Sequence, residues 1–303
     1  MSVKNETLLL EQAVEDILCQ SYPHFELIIV DDGSDYPVAD TLSQHNHSKI
    51  TILRNTTSIG QAASRNNAFK IAKGAFIAVA DADDRYHPKR LEKQVDFLQQ
   101  YPNIHLCGTN FNTLPAGKSW PIFTKPNLIR QAFILNNPLI HSSVMFRSEL
   151  LSKGFFYDPA FNTAEDYELF SRFRNTLEYA NLKEKLVTYR ISERTGGTGV
   201  QQDLAIAIRK RNIQEEKLDA SEKELQQLAG LFPGFTPFSF HQLLHSQSPK
   251  QPKALYTIVY SQYIQYTQKF GIKPNIRLLL NALYHAELSL IQKVRIIVKH
   301  FIS

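Results

Sequence analysis

Two short apolar runs, each ending in a cluster of aspartates, constrain this chain more than any other feature. The first is Phe25–Val30, followed by Asp31-Asp32-Gly33-Ser34; the second is Ala75–Ala80, followed by Asp81-Ala82-Asp83-Asp84. Apolar runs without polar alternation read as strands buried on both faces. The segments around them have helical spacing. Glu6–Gln20 carries Leu10, Ala13, Val14, Ile17 and Leu18 on one face, Gln61–Ala72 stops at Lys73-Gly74, and Pro88 opens a helix that runs to Gln100. A helix around Val38–Gln44 and a strand at Ile50–Leu53 complete the alternation. The pattern predicts an α/β fold with a mostly parallel sheet covered by helices on both faces.

Composition narrows the class. With 43% hydrophobic and 21% charged residues over 303 positions, the chain is not wholly disordered. Cys19 and Cys107 are too few for a disulfide framework or a cysteine zinc site. The polar start Met1–Glu6 does not read as a signal peptide, and no run reaches the roughly 18 apolar residues of a membrane-spanning helix. A reducing cytoplasm is the expected compartment.

The character changes after Arg190. Ser192–Val200 holds three glycines and reads as a loop, Leu204–Leu228 as charged helix, Leu231–Pro252 with its four prolines as a linker, and Leu255–Ile302 as helix. Two regions are therefore expected: an α/β domain over 1–199 and a helical C-terminal region over 200–303. From Lys250 to Ser303 there are eight basic residues and one acid, so the tail is +7 and the remainder −2. That asymmetry argues against a nucleic-acid enzyme. The basic helix Ile276–Ile302 has two readings: peripheral contact with the inner face of an anionic membrane, or packing on the α/β domain with its basic side in water.

The two aspartate clusters fall where parallel strands end, the edge at which open α/β sheets bind ligands. Carboxylates suit hard cations, and Mg²⁺ is usually held by one or two of them together with substrate phosphates. An Asp-x-Asp at a strand end would present both carboxylates on one side, one for metal and one for a hydroxyl. Acids at strand ends also serve as solvated turn and cap residues; Asp31 and Asp84 fit that role.

The segments FELIIVDDGS and IGQAASRNNAFKIAKGAFIAVADADDRYHPKRLEKQVDFL resemble the nucleotide-binding half of family 2 glycosyltransferases. The likeness continues through HSSVMFRSELL (141–151), FFYDPAFNTAEDYELFSRF (155–173) and LVTYRIS (186–192). It implies a GT-A (Rossmann-like) fold and an inverting transfer from a nucleotide-sugar donor, a UDP-sugar by expectation, to a glycan or lipid-linked acceptor. It also implies Mn²⁺ or Mg²⁺ as cofactor. Carried over residue by residue, Asp32 contacts the base or ribose, Asp81 holds the ribose and Asp83 binds the metal bridging the diphosphate. Arg65 lies near the nucleotide, and Tyr189-Arg190 with the following loop closes over the diphosphate. In Glu165-Asp166, Asp166 is the base that takes the acceptor proton, and Glu165 orients it or binds acceptor.

Simpler roles stand beside these. Asp166 is also an acid well placed for a helix dipole, Arg65 a partner for a nearby acid, and His141 a structural hydrogen-bonding residue. The sequence departs from the family twice. The first apolar strand is expected to be missing, since Met1–Glu6 resembles only the turn after it. Five buried apolar side chains are worth about 7–15 kcal/mol, comparable with a domain's whole stability. This predicts a recorded start downstream of the true one, or a degraded relative that binds nucleotide sugar and transfers weakly. The second departure is Ser192, where many relatives carry His. A nucleotidyltransferase is disfavoured because no Gly-rich phosphate loop follows a first strand, and an Asp-x-Asp phosphatase because Arg85 follows Asp84.

Overall fold

The structure, a computed structural model, describes residues 1–45, 48–116, 122–134, 136–191 and 199–215. The chain divides into two compact units. The first comprises Met1–Arg130 and Asn137–Ala205; the second begins at Ile206 and takes in Gln131–Asn136. In the second unit the Asn212 amide donates to Phe133 O at 2.8 Å. The glycine-containing loop with Ser192, the proline segment and the basic tail lie outside the described residues.

The first unit opens with β1 (Ser2–Val3), α1 (Leu8–Leu18), β2 (Leu27–Asp31), α2 (Val38–Thr41), β3 (Ile50–Arg54) and α3 (Gln61–Ile71). The helical spacing read in the sequence is the buried stripe of α1, formed by Leu10, Ala13, Val14 and Ile17. All of β2 is buried, as its unbroken apolar run requires. β1 and β3 flank β2 in a parallel sheet, with Ser2 opposite Val30 and Leu27 opposite Ile50. The strand expected to be missing is therefore present as a two-residue stub.

The chain continues through β4 (Phe76–Ala78), β5 (Arg85–Tyr86), α4 (Arg90–Gln100), β6 (Leu106–Leu114), α5 (Pro126–Ala132), β7 (Met145–Arg147), α6 (Glu165–Arg172), β8 (Tyr179–Arg190) and α7 (Gly199–Glu215). A second sheet has the order β4-β7-β6-β8-β5. β6 and β8 are parallel, whereas β7 and β5 run antiparallel to their neighbours. The sheet is parallel where strands alternate with helices, and these two returning strands supply the antiparallel ladders.

Packing explains where the elements stop. β4 ends at Ala78 rather than Ala80, and α4 begins at Arg90 rather than Pro88. Arg90 is fully buried: its guanidinium donates to Val79 O at 2.8 Å and to Gln94 Oε1 at 3.0 Å, tying the end of β4 to α4. Val95 and Leu98 of α4 pack on Cys107, Met145 and Leu182. On the other side Leu10, Val14, Ile29, Tyr86 and Val187 form a common cluster. Each such side chain contributes roughly 1.5–3 kcal/mol on burial. Among the described residues no helix is long and apolar enough to cross a membrane.

Candidate active site

The turn after β2 is built around two buried aspartates with different partners. Asp31 accepts from Ser34 N–H at 2.9 Å, Val38 N–H at 3.1 Å and Arg54 Nη1 at 2.7 Å, and so closes the turn into α2. Asp32 accepts from five donors: Asn55 Nδ2, Ser58 Oγ, Ile59 N–H, Gly60 N–H and Ser64 Oγ, all at 2.8–2.9 Å. Burial pushes both carboxyls up, but these hydrogen bonds outweigh it and hold them below the usual range. Asp32 thereby fixes the 55–60 loop and the start of α3, and its lone pairs are engaged by the protein.

The second cluster lies in a turn beyond β4, not on the strand, so strand alternation does not set its geometry. The Tyr86 hydroxyl, 2.7 Å from both Asp81 N and Asp81 O, pins the backbone there. Asp81 Oδ1 accepts from Arg65 Nη2 at 2.7 Å, and Oδ2 lies 3.3 Å from His141 Nδ1. Burial would raise its pKa, but His141 and Arg65 together hold it far below the usual carboxylate value. Asp83 differs. It is half-buried, and its carboxylate takes no hydrogen bond from another described residue. Desolvation and the Asp81 charge raise its pKa.

Asp84 does more than shape a turn. It is buried, accepts from Ser142 Oγ, and accepts from Arg190 N–H at 2.8 Å. Burial and Asp81 push its pKa up to about 7. Arg190 returns the contact, its Nε donating to Asp83 O at 2.9 Å. The end of β8 is thus fastened to the aspartate turn, helped by the β5–β8 ladder that sets Arg85 opposite Thr188.

Arg65 joins this turn to α6. Projecting from α3 and buried, it gives Nη1 to Glu165 Oε1 at 2.7 Å while Nη2 holds Asp81. Burial raises the Glu165 pKa, Arg65 opposes the rise, and neighbouring Asp166 adds to it. Asp166, partly buried, accepts from Asn137 Nδ2 at 2.8 Å and Tyr167 N–H at 2.7 Å. The simpler roles therefore hold in part: Arg65 pairs with acids, and His141 is a hydrogen-bonding residue between Asp81 and Tyr157, whose hydroxyl lies 2.9 Å from Nε2.

Arg65 thus links Asp81 and Glu165 directly, Arg190 is bonded to Asp83 two residues beyond Asp81, Asp166 stands beside Glu165, and Asp32 organises the adjoining loop. Three contributors were not read from the sequence: Asn137, Tyr157 and Ser142. Ser142 and Tyr157 carried a signal, lying inside the segments 141–151 and 155–173, whereas Asn137 lies in neither. Among the described residues no group of three His, Cys, Asp or Glu side chains is arranged to hold a metal. Asp83 still fits a hard cation, because a carboxylate with no donor among the other described residues, beside a second acid, can share an ion with substrate phosphates.

Comparisons with known proteins identify the family. The family model described as "Glycosyl transferase family 2" matches residues 1–155. An uncharacterized glycosyltransferase of Methanocaldococcus jannaschii is 32% identical over 61% of this chain and 67% of its own length. The O-antigen biosynthesis glycosyltransferase WbnJ of Escherichia coli is 29% identical over 64% and 79%. Among solved structures, S. aureus TarS 1-349 in complex with UDP-GlcNAc superposes with a TM-score of 0.57 at 16% identity, covering 86% of this chain and 78% of that one. The mannosyltransferase PcManGT of Pyrobaculum calidifontis, in complex with GDP-Man and Mn²⁺, gives 0.52 at 16% identity, covering 98% and 77%. With the family model spanning more than half of the sequence and the aspartate turns arranged on a GT-A fold, the chain belongs to the family 2 glycosyltransferases.

Proposed function

We propose that this glycosyltransferase moves a sugar from a UDP-sugar to a hydroxyl of a saccharide or lipid-linked acceptor, with inversion at the anomeric carbon and with Mn²⁺ or Mg²⁺ as cofactor. One observation carries the reading: a single guanidinium, Arg65, holds Asp81 and Glu165 at 2.7 Å each. It sets the turn suited to a nucleotide against the first turn of α6, where a base suited to an acceptor stands.

In this reading Asp81, kept ionised by Arg65 and His141, accepts from ribose hydroxyls with the lone pairs left to it. Asp32 serves the nucleotide by holding the 55–60 loop. Asp83 would hold the metal ion, which when bound offsets charge on the leaving diphosphate. Arg190, held on the aspartate turn, adds a positive charge on the same side. Asp166 takes the proton of the acceptor hydroxyl as its oxygen bonds to the anomeric carbon. The bond from that carbon to the diphosphate breaks, and UDP leaves. Inversion follows because the acceptor enters opposite the leaving group. Asn137 aims the Asp166 carboxylate, and Glu165 is tethered by Arg65.

Calorimetric titration with UDP and with GDP, with and without Mn²⁺, tests the donor half. The expected result is metal-dependent UDP binding that is lost in Asp83→Asn. A preference for GDP would reassign the nucleotide, and a folded chain that binds neither would end the reading.

A further inference from the structure

One helix grips Asp81 twice. Directly, Arg65 of α3 donates from Nη2 to Asp81 Oδ1 at 2.7 Å. The second grip runs through Tyr157. Asn66, the next residue of α3, donates to Tyr157 O at 2.8 Å and accepts from Tyr157 N–H at 3.0 Å. Phe69, one turn on, stacks against the tyrosine ring with centroids 5.4 Å apart. The buried Tyr157 hydroxyl then lies 2.9 Å from His141 Nε2, and His141 Nδ1 lies 3.3 Å from Asp81 Oδ2. An ionised carboxylate only accepts, so the His141 proton that faces Asp81 sits on Nδ1.

Each oxygen of the carboxylate therefore has its own donor. An aspartate held at one oxygen can still turn about its Cβ–Cγ bond, because that torsion is broad; held at both, its plane is set. A carboxylate offers about four acceptor positions, so with two taken about one remains on each oxygen. These open outward: the Asp81 side chain keeps 21% exposure, against 7% for Arg65 and 12% for His141 behind it. Two acceptors side by side in a fixed plane match two hydroxyls on neighbouring carbons, which is what the 2′ and 3′ positions of a ribose present.

We propose that His141 and Tyr157 are positioning residues for donor specificity: with Arg65 they fix the plane of the Asp81 carboxylate, so that its two remaining acceptor positions take the 2′- and 3′-hydroxyls of a ribonucleotide together. The inference rests on the reading that Asp81 serves the nucleotide. Neither residue touches the donor; both act through Asp81. The charge of Asp81 attracts a single hydroxyl whatever the plane, whereas a paired contact needs both oxygens aimed at once. Loss of the second grip therefore costs discrimination between ribose and deoxyribose, and not affinity alone.

The test titrates the 303-residue chain and its variants with UDP, GDP and their 2′-deoxy forms in the presence of Mn²⁺, and records Tm for each. The parent is expected to bind its preferred ribonucleotide at least about tenfold more tightly than the deoxy form. His141→Leu should cut that ratio to about threefold or less, whereas His141→Asn, whose amide reaches the place of Nδ1, should keep most of it. Tyr157→Phe removes only the hydroxyl that steadies the ring; it should fall between, and should add nothing in the His141→Leu background. A merely structural loss would weaken both forms alike. An unchanged ratio in His141→Leu, or in Tyr157→Phe at parental Tm, overturns the proposal. So does a parent that binds UDP or GDP without discriminating the deoxy form, a result that leaves the donor reading standing. A parent that binds neither nucleotide fails the donor reading itself, and this inference with it.

Discussion

Arg65 Nη1 lies 2.7 Å from Glu165 Oε1, tying α3 to the first turn of α6 across 100 residues of chain. Both side chains are buried, and the same guanidinium also holds Asp81. Ion pairs of this kind add little beyond an apolar packing, but breaking one leaves an uncompensated buried charge. Arg65→Leu is therefore expected to destabilise the first unit by about 3–5 kcal/mol. Arg65→Lys, which cannot bridge two carboxylates with one planar fork, should fall between. Denaturant unfolding measures both; a loss below about 1 kcal/mol in Arg65→Leu would show that the bridge has no structural weight.

The Asn137–Asp166 contact separates aiming from proton transfer. Asp166→Asn is expected to lower transfer by about 10²–10⁴-fold with little change in Tm or in nucleotide binding. Asn137→Ala keeps the carboxylate but frees it, and should reduce kcat less while altering the pH profile. If both variants retain full transfer, another group must accept the proton.

Asp84 makes pH a diagnostic. Its folded pKa is raised to about 7, so between about pH 4 and pH 7 the folded chain keeps a proton that the unfolded chain has lost. Stability from this group is fully present below the unfolded value and falls as pH rises through that window, by up to about 4 kcal/mol. Asp84→Asn can still accept from Ser142 and Arg190 without the charge. Measured without divalent metal, its Tm should overtake the parent's as pH rises from 5 to 8. Parallel Tm profiles would contradict the raised pKa.

Gly33 sits at φ +68, and a Cβ there would lie 2.8 Å from Ser58 N and 2.9 Å from the Thr57 carbonyl carbon. The obstacle is backbone, and the left-handed conformation adds its own cost. Gly33→Ala should therefore lose about 2–4 kcal/mol. Because Ser58 also donates to Asp32, nucleotide binding should weaken in the same variant. Unchanged stability by thermal unfolding would mean that the 55–60 loop yields easily.

The aspartate turns were legible because everything that marks them is local: an apolar run, its end, and the acids that follow. The helical stripe of α1 and the buried run of β2 were legible for the same reason, since burial on one or two faces leaves a period in the sequence. Resemblance added the expectation that Asp83, Arg65, Arg190 and Glu165-Asp166 serve one site. It did not disclose that Asp32 is occupied by five protein donors, nor that Asp84 clamps Arg190.

The sequence by itself determined the strands near 25–30, 50–53 and 75–80, the helices between them and the acids that follow two of those strands, because these depend on neighbours a few residues away. The tertiary structure alone decided the partners. Asn137 reaches Asp166, His141 stands between Asp81 and Tyr157, and β5 pairs with β8, because packing closes chain separations that leave no periodic trace.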